Sequence, residues 1–232
     1  MKTIYYPIIL LILTVSVATA QNNNTTVSQE NDSGWTRFIN KMELSKWKPG
    51  VKIGINFNKF TSADAYKYRT GYNFGLFADY TGKWFIFQPG INYFSKGTRI
   101  IIEYPEYEGG PLITNSAIRY NFLEVPLRFG VTIFHHHIGC AQPVRLNATP
   151  YFAYALNAKY ASEYDVSKIN LGKGENELPQ LDYGIKIGIS AAFGTFEPSF
   201  GYDFGLNNIA NKVGISNKNR GFYFTVALVF GK

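Results

Sequence analysis

The chain has 232 residues, a formal net charge of +7, 17% charged residues and one cysteine, Cys140. A single cysteine excludes an intrachain disulfide framework, and no run of about 18 apolar residues is present to make a membrane-spanning helix. The basic residues are scattered, which excludes the concentrated positive face of a nucleic-acid binder and leaves loop surface or an interior as the place for the charge.

The N-terminus begins with a short positive region, Met1-Lys2, followed by an apolar core, Ile8 to Val17, and a small-residue cleavage site, Val17-Ala18-Thr19-Ala20. Residues 1–20 therefore read as a secretory signal peptide. Its removal takes Lys2 away and leaves 7 − 1 = +6. The apolar core is too short for a spanning anchor, and no Cys follows the cleavage site to carry a lipid. Residues 21–48 read as a flexible periplasmic leader. Gln21 to Ser33 is rich in Asn, Gln and Thr, a composition that buries too little apolar surface to order itself. Trp35, Phe38, Ile39 and Met42 then recur at helical spacing. They suit a short amphipathic helix on the membrane surface, with an irregular lead into the first strand as the alternative.

From residue 49 to residue 232 the pattern changes to period two, the signature of strands with two unlike faces. Val51, Ile53, Ile55 and Phe57 alternate with Lys52, Gly54 and Asn56. The same alternation recurs over 72–80, 85–93, 123–130, 144–154, 181–191 and 196–205. The eighth run, Gly221 to Phe230, places Phe222, Phe224, Val226, Leu228 and Phe230 on one face. A tilted strand needs about 9–11 residues to cross a bilayer, so this run is long enough, and an aromatic sits almost at the C-terminus.

Three features place the apolar faces outside. The polar faces carry Gly54, Gly75, Gly90, Gly130, Gly184, Gly188, Gly201 and Gly205, as a narrow barrel interior requires. Aromatics bracket the apolar sets (Tyr72 and Tyr80, Phe85 and Tyr93, Phe222 and Phe230), as interfacial girdles do. The connections alternate in length: 59–70, 95–117, 158–179 and 207–219 are long and polar, whereas those near 81–83, 132–142 and 194–195 are shorter. Long external loops and short periplasmic turns give that rhythm. The expectation is an all-β, eight-stranded, antiparallel up-and-down transmembrane barrel in the cell outer membrane, with its termini in the periplasm.

The polar faces also carry Lys52, Asp79, Glu124, Arg128, Arg145, Asp182, Lys186, Glu197 and Asp203. Charges inside a narrow barrel must pair or be hydrated. They make either a structural network filling the interior or the lining of a narrow pore or proton path. Glu124, Arg128, Lys186 and Asp203 are expected to share one network.

Phe87-Gln88-Pro89-Gly90-Ile91-Asn92-Tyr93, Lys96-Gly97, Phe122-Leu123-Glu124-Val125-Pro126-Leu127 and Tyr202-Asp203-Phe204-Gly205-Leu206-Asn207-Asn208-Ile209 follow one another in order. Through them the chain, from about Pro49 onward, resembles the PorT-type outer-membrane β-barrel family of the Bacteroidota. The resemblance implies an eight-stranded, porin-like barrel. The founding member takes part in protein secretion across the outer membrane. No catalytic motif comes with the resemblance.

His135-His136-His137 are the only histidines. Neighbouring side chains on extended backbone point to opposite faces, so three in a row do not make one tridentate site. They lie in an expected periplasmic turn, away from the outer rim where a membrane hydrolase would need its His. The sequence therefore gives no catalytic, cofactor-binding or metal-ligating residues, and no cofactor. The expected function is a non-enzymatic structural barrel or narrow channel. The alternative is an interaction protein whose loops 95–117 and 158–179 hold a surface or secretion-system partner, Glu103 to Leu112 forming a structured loop. Expected partners also include outer-membrane lipid and lipopolysaccharide, and assembly machinery that reads the C-terminal strand.

Overall fold

The computed structural model describes residues 46–61, 65–107, 110–134, 143–162, 166–172, 178–208 and 217–231, all within the compact unit Leu44–Lys232. The expected signal peptide, nearly all of the leader, the three histidines and Cys140 lie outside the described residues.

Among the described residues nine strands follow in order: β1 (Trp47–Phe60), β2 (Tyr66–Thr81), β3 (Phe85–Tyr107), β4 (Gly110–Phe134), β5 (Val144–Ala161), β6 (Val166–Ile169), β7 (Leu181–Ala191), β8 (Phe196–Gly205) and β9 (Asn219–Val229). Eight of them close a ring. Each pairs antiparallel with its neighbour, and β9 returns to β1 from Gly50↔Val229 to Phe60↔Asn219. The short β6 stands outside the ring. It pairs with β5 through Ala158↔Ile169 to Ala161↔Val166, beyond the point where β7 stops at Tyr154↔Leu181.

The period-two pattern translates directly into facing. Ile53, Leu76, Ile91, Ile187 and Leu228 point outward and are exposed, Ile187 at 45%. Their neighbours along the strands face inward and are buried or half-buried. Two aromatic belts flank this apolar band. Near the strand ends that carry the termini, Trp47 packs on Tyr80 at 5.4 Å and Phe87 on Phe129 at 4.9 Å between ring centroids. Toward the other end, Phe74 stacks on Tyr93 at 5.1 Å and Tyr202 packs on Phe222 at 4.9 Å. Aromatic rings at two levels of a lipid-facing surface are interfacial girdles.

Glycines make room inside. Gly188 and Gly201 are partners across β7 and β8, and the Tyr223 ring fills the space over them. A Cβ on Gly201 would lie 2.5 Å from Tyr223 Oη. The Gly194-Thr195 turn joins β7 to β8 with Phe193 and Phe196 exchanging both backbone hydrogen bonds, at 2.7 and 3.1 Å. Gly194 has φ +61°, a conformation that suits glycine in two-residue hairpins.

Two expectations change. β1 begins at Trp47, which pairs with Tyr80, so the last two residues assigned to the leader are strand. The segment 95–117, expected as a loop, is mostly strand. β3 and β4 stay paired from Ser95↔Asn121 to Tyr107↔Gly110, with 23 and 25 residues respectively. The described residues of the expected Glu103 to Leu112 loop, 103–107 and 110–112, belong to the end of that hairpin. Its polar composition reads as loop because beyond the lipid no outward apolar face is required, while the backbone ladder still holds.

The outward stripe can be tested at Ile187. Ile187→Arg puts a charge toward lipid and should cost roughly 2–4 kcal/mol, read by urea unfolding in lipid vesicles. Unchanged stability would mean that β7 presents its other face.

Candidate functional site

The interior is the only place where the chain gathers chemically active groups in number among the described residues. It is built in layers. In the layer nearest the termini, Arg128 Nη2 and Arg145 Nη1 each lie 2.7 Å from a different oxygen of Glu197. Arg128 also donates to Gln88 Oε1 and Ser190 Oγ, both at 2.7 Å. Gln88 in turn donates to Asp79 at 2.7 Å, and Thr81 donates to the other Asp79 oxygen at 2.9 Å.

In the middle layer, Lys186 Nζ donates to both oxygens of Glu124, at 2.6 and 2.7 Å. Asn92 donates to Glu124 at 3.1 Å. The Lys186 ammonium also lies 4.1 Å from the Phe94 ring centroid and 4.7 Å from that of Tyr151, a favourable placement for a desolvated cation.

In the third layer, Lys96 Nζ lies 2.9 Å from Asp203 and 3.1 Å from Asp182 and donates to Tyr151 Oη at 3.0 Å. The Tyr151 ring lies below the same ammonium at 4.2 Å. Beyond it the lumen turns apolar. Phe60, Phe94, Tyr120, Phe122 and Ala158 form a buried cluster, and Ile169, Leu171 and Leu178 from the β5–β7 connection pack against it. Tyr120 stacks on Phe122 at 5.5 Å. That cluster lies toward the loop end of the barrel, beyond the ionic layers.

Each of these five ion pairs joins strands that are not neighbours in the ring: β3 with β7 and β8, β4 with β7 and β8, and β5 with β8. An eight-stranded ring is narrow enough for side chains to meet across it. All nine ionisable residues expected inside are inside. The single network expected for Glu124, Arg128, Lys186 and Asp203 is corrected in its direct ion pairs, which set Arg128 apart, while Lys186 and Asp203 face each other across β7 and β8. Glu124 pairs with Lys186, Arg128 with Glu197, and Asp203 with Lys96. Arg128 sits four residues along β4 from Glu124, which places it one layer away.

Lys96 was missed by the sequence argument because it falls in a segment that reads as loop. The signal was present: Asn92, Phe94 and Lys96 keep the inward phase of β3. Two cavities among the described residues are small. One of about 10 Å³ lies beside Lys96 and Asp182, and one of about 50 Å³ lies in the middle layer. Among the described residues no cluster of three His, Cys, Asp or Glu is arranged to hold a metal.

A closed antiparallel ring with an apolar, aromatic-belted exterior and a paired ionic interior defines a transmembrane β-barrel of the outer membrane. The chain belongs to the family described as outer membrane protein beta-barrel domain, whose model matches residues 19–211, and its place is the cell outer membrane. Solved structures to which it is similar include Neisserial surface protein A, at 12% identity and a TM-score of 0.49 over 78% of this chain and 97% of that one. Ail, the attachment invasion locus protein of Yersinia pestis, is similar at 13% identity and a TM-score of 0.44 over 80% and 99%. The translocator domain of the autotransporter NalP from Neisseria meningitidis covers 95% of its own length at 9% identity and a TM-score of 0.34, over 96% of this chain. No curated protein matches the sequence.

Breaking one of these pairs leaves a charge stranded, which typically costs 3–5 kcal/mol, whereas replacing both partners by neutral groups is far milder. Lys186→Met should therefore destabilise strongly, and adding Glu124→Gln should recover most of the loss. The same cycle run on Glu124 and Arg128 should show much weaker coupling. Equal coupling in the two cycles, measured by urea unfolding in vesicles, would contradict the layered division.

Proposed function

We propose that this is a non-enzymatic outer-membrane barrel of the PorT type whose lumen is closed to solutes, so that its work is done by the barrel as a membrane scaffold and not by passage through it. The observation that carries this reading is the stacking of paired charges beneath an aromatic plug. The Arg–Glu layer, the Lys186–Glu124 pair, the Lys96 cluster and the Phe60–Tyr120–Phe122 group occupy successive levels of the interior. The mid-lumen cavity of about 50 Å³ has room for a few waters but not for a sugar. Lipid and lipopolysaccharide are the partners that the apolar exterior and its aromatic belts suit, and β9, which closes the ring, is the strand offered to assembly machinery. With the long connections outside the cell, the β3–β4 hairpin extends outward from the surface.

That hairpin favours a second reading, in which the barrel displays a binding element for a surface or secretion-system partner. Crossing a bilayer takes about 9–11 residues. β3 and β4 have 23 and 25. The strands beside them stop earlier: β2 leaves β3 at Tyr66↔Ile100, and β5 leaves β4 at Ala117↔Ala161. The far part of the hairpin has strand pairing only to itself among the described residues, so its outer edges remain open to an added strand.

The purified barrel should give no stable unit conductance in planar bilayers and no sugar-driven swelling of liposomes. Steady sugar flux would overturn the closed-lumen reading. For the display reading, a variant lacking 102–115 should keep barrel stability and lose partners captured with wild type from native membranes. An identical set of captured partners would remove that reading.

A further inference from the structure

The five lumenal cations and five lumenal carboxylates are not evenly matched. Lys96 meets two carboxylates, Asp182 and Asp203. Glu197 meets two guanidinium groups, Arg128 and Arg145. Lys186 and Glu124 satisfy each other. Lys52 has no ion pair or hydrogen bond among the described residues, and its ammonium rests 5.8 Å from the Phe77 ring centroid. It lines the mid-lumen cavity of about 50 Å³, together with Asn73, Asn92, Arg128 and the Glu124–Lys186 pair.

Two further facts describe that cavity. Asn73 is 4% exposed, and its Nδ2 is buried with no hydrogen-bond partner. Gly54 and Gly75 flank Lys52 in the register, through Lys52↔Gly75 and Gly54↔Asn73, and the Asn92 and Thr225 side chains that also line the cavity lie over them. The cavity therefore brings together an unpaired cation, an unused amide donor and the guanidinium of a group in which two arginines share one carboxylate, while the one carboxylate in its wall, Glu124, is already held by Lys186.

We infer that this cavity is a binding site for one small monovalent anion of halide size, held by Lys52 and Asn73. Charge sets the valence, since one cation is unmatched at the site. Size sets the class, since the cavity takes a few water-sized particles and no larger organic anion. The anion gives Lys52 a counter-charge that it lacks locally, independently of whether any solute crosses the barrel.

The test is thermal unfolding of the purified full barrel in detergent at constant ionic strength, with sodium gluconate replaced stepwise by sodium chloride. A ligand bound only by the folded state raises Tm saturably, and the shift expected here is about 2–4 °C. Lys52→Met should abolish the shift. Asn73→Asp is the second variant. Residues 52 and 73 are diagonal neighbours on the lumenal face, within side-chain reach, so the new carboxylate supplies the missing counter-charge. Its Tm should not respond to chloride. Crystals soaked in bromide should show anomalous density beside Lys52 in wild type and none there in Asn73→Asp. Equal Tm in both salts, a chloride shift of the same size in Asn73→Asp, or bromide density only outside the cavity would each overturn the inference and leave the cavity to water.

Discussion

Water does not reach a strand in the hydrocarbon core, so each backbone N–H and C=O there needs a partner on a neighbouring strand. For a sheet this means closure, since an open edge in lipid leaves a row of unsatisfied groups. The pairing of β9 with β1, eleven residues long from Gly50↔Val229 to Phe60↔Asn219, meets that requirement. Once the ring is closed, period-two alternation leaves each side chain facing either lipid or lumen. The apolar face goes to lipid, and the lumen receives whatever remains of the sequence.

What remains is polar, charged and mixed in size. Glycine pairs such as Gly188 and Gly201 let Tyr223 lie against the wall, and the long cations reach across to carboxylates on strands that are not their neighbours. The lumen is thus stabilised at right angles to the ladders. Hydrogen bonds hold each strand to the next, and ion pairs tie opposite walls together. Buried ion pairs contribute modestly to net stability because desolvation offsets most of their attraction. Their larger effect here is on register. A one-residue slip would turn Glu124, Arg128, Lys186 and Glu197 toward lipid, where a charge costs several kcal/mol.

The eight crossing segments and their facing were legible in the sequence because the bilayer imposes the alternation that a reader looks for. Lys52, Glu124 and Asp203 could be placed inside from phase alone. Where the bilayer stops, the signal stops. Ser95 to Tyr107 and Gly110 to Ala117 carry no apolar stripe, so the strand extensions and the inward position of Lys96 did not declare themselves. The pairing of Arg128 with Glu197 and of Lys96 with Asp203 was also out of reach. Sequence phase gives the face of a residue but not the level at which a twisted, tilted ring brings two opposite walls together. The aromatic plug was hidden for a related reason: Phe94, Tyr120 and Phe122 are apolar residues facing inward, against the general rule of the other strands.

The central claim is that the apolar face meets lipid while the lumen is packed and nearly dry. Methyl-labelled protein in lipid nanodiscs tests it without altering a residue, by recording nuclear Overhauser contacts from methyl groups to acyl chains and to water. Ile53, Ile91, Ile187 and Leu228 should contact acyl chains. Ile86 and Ala153, which point into the lumen and are 1% and 3% exposed, should contact neither. Water contacts at Ile86 and Ala153 would reveal an open aqueous channel, and acyl-chain contacts there would turn the barrel inside out.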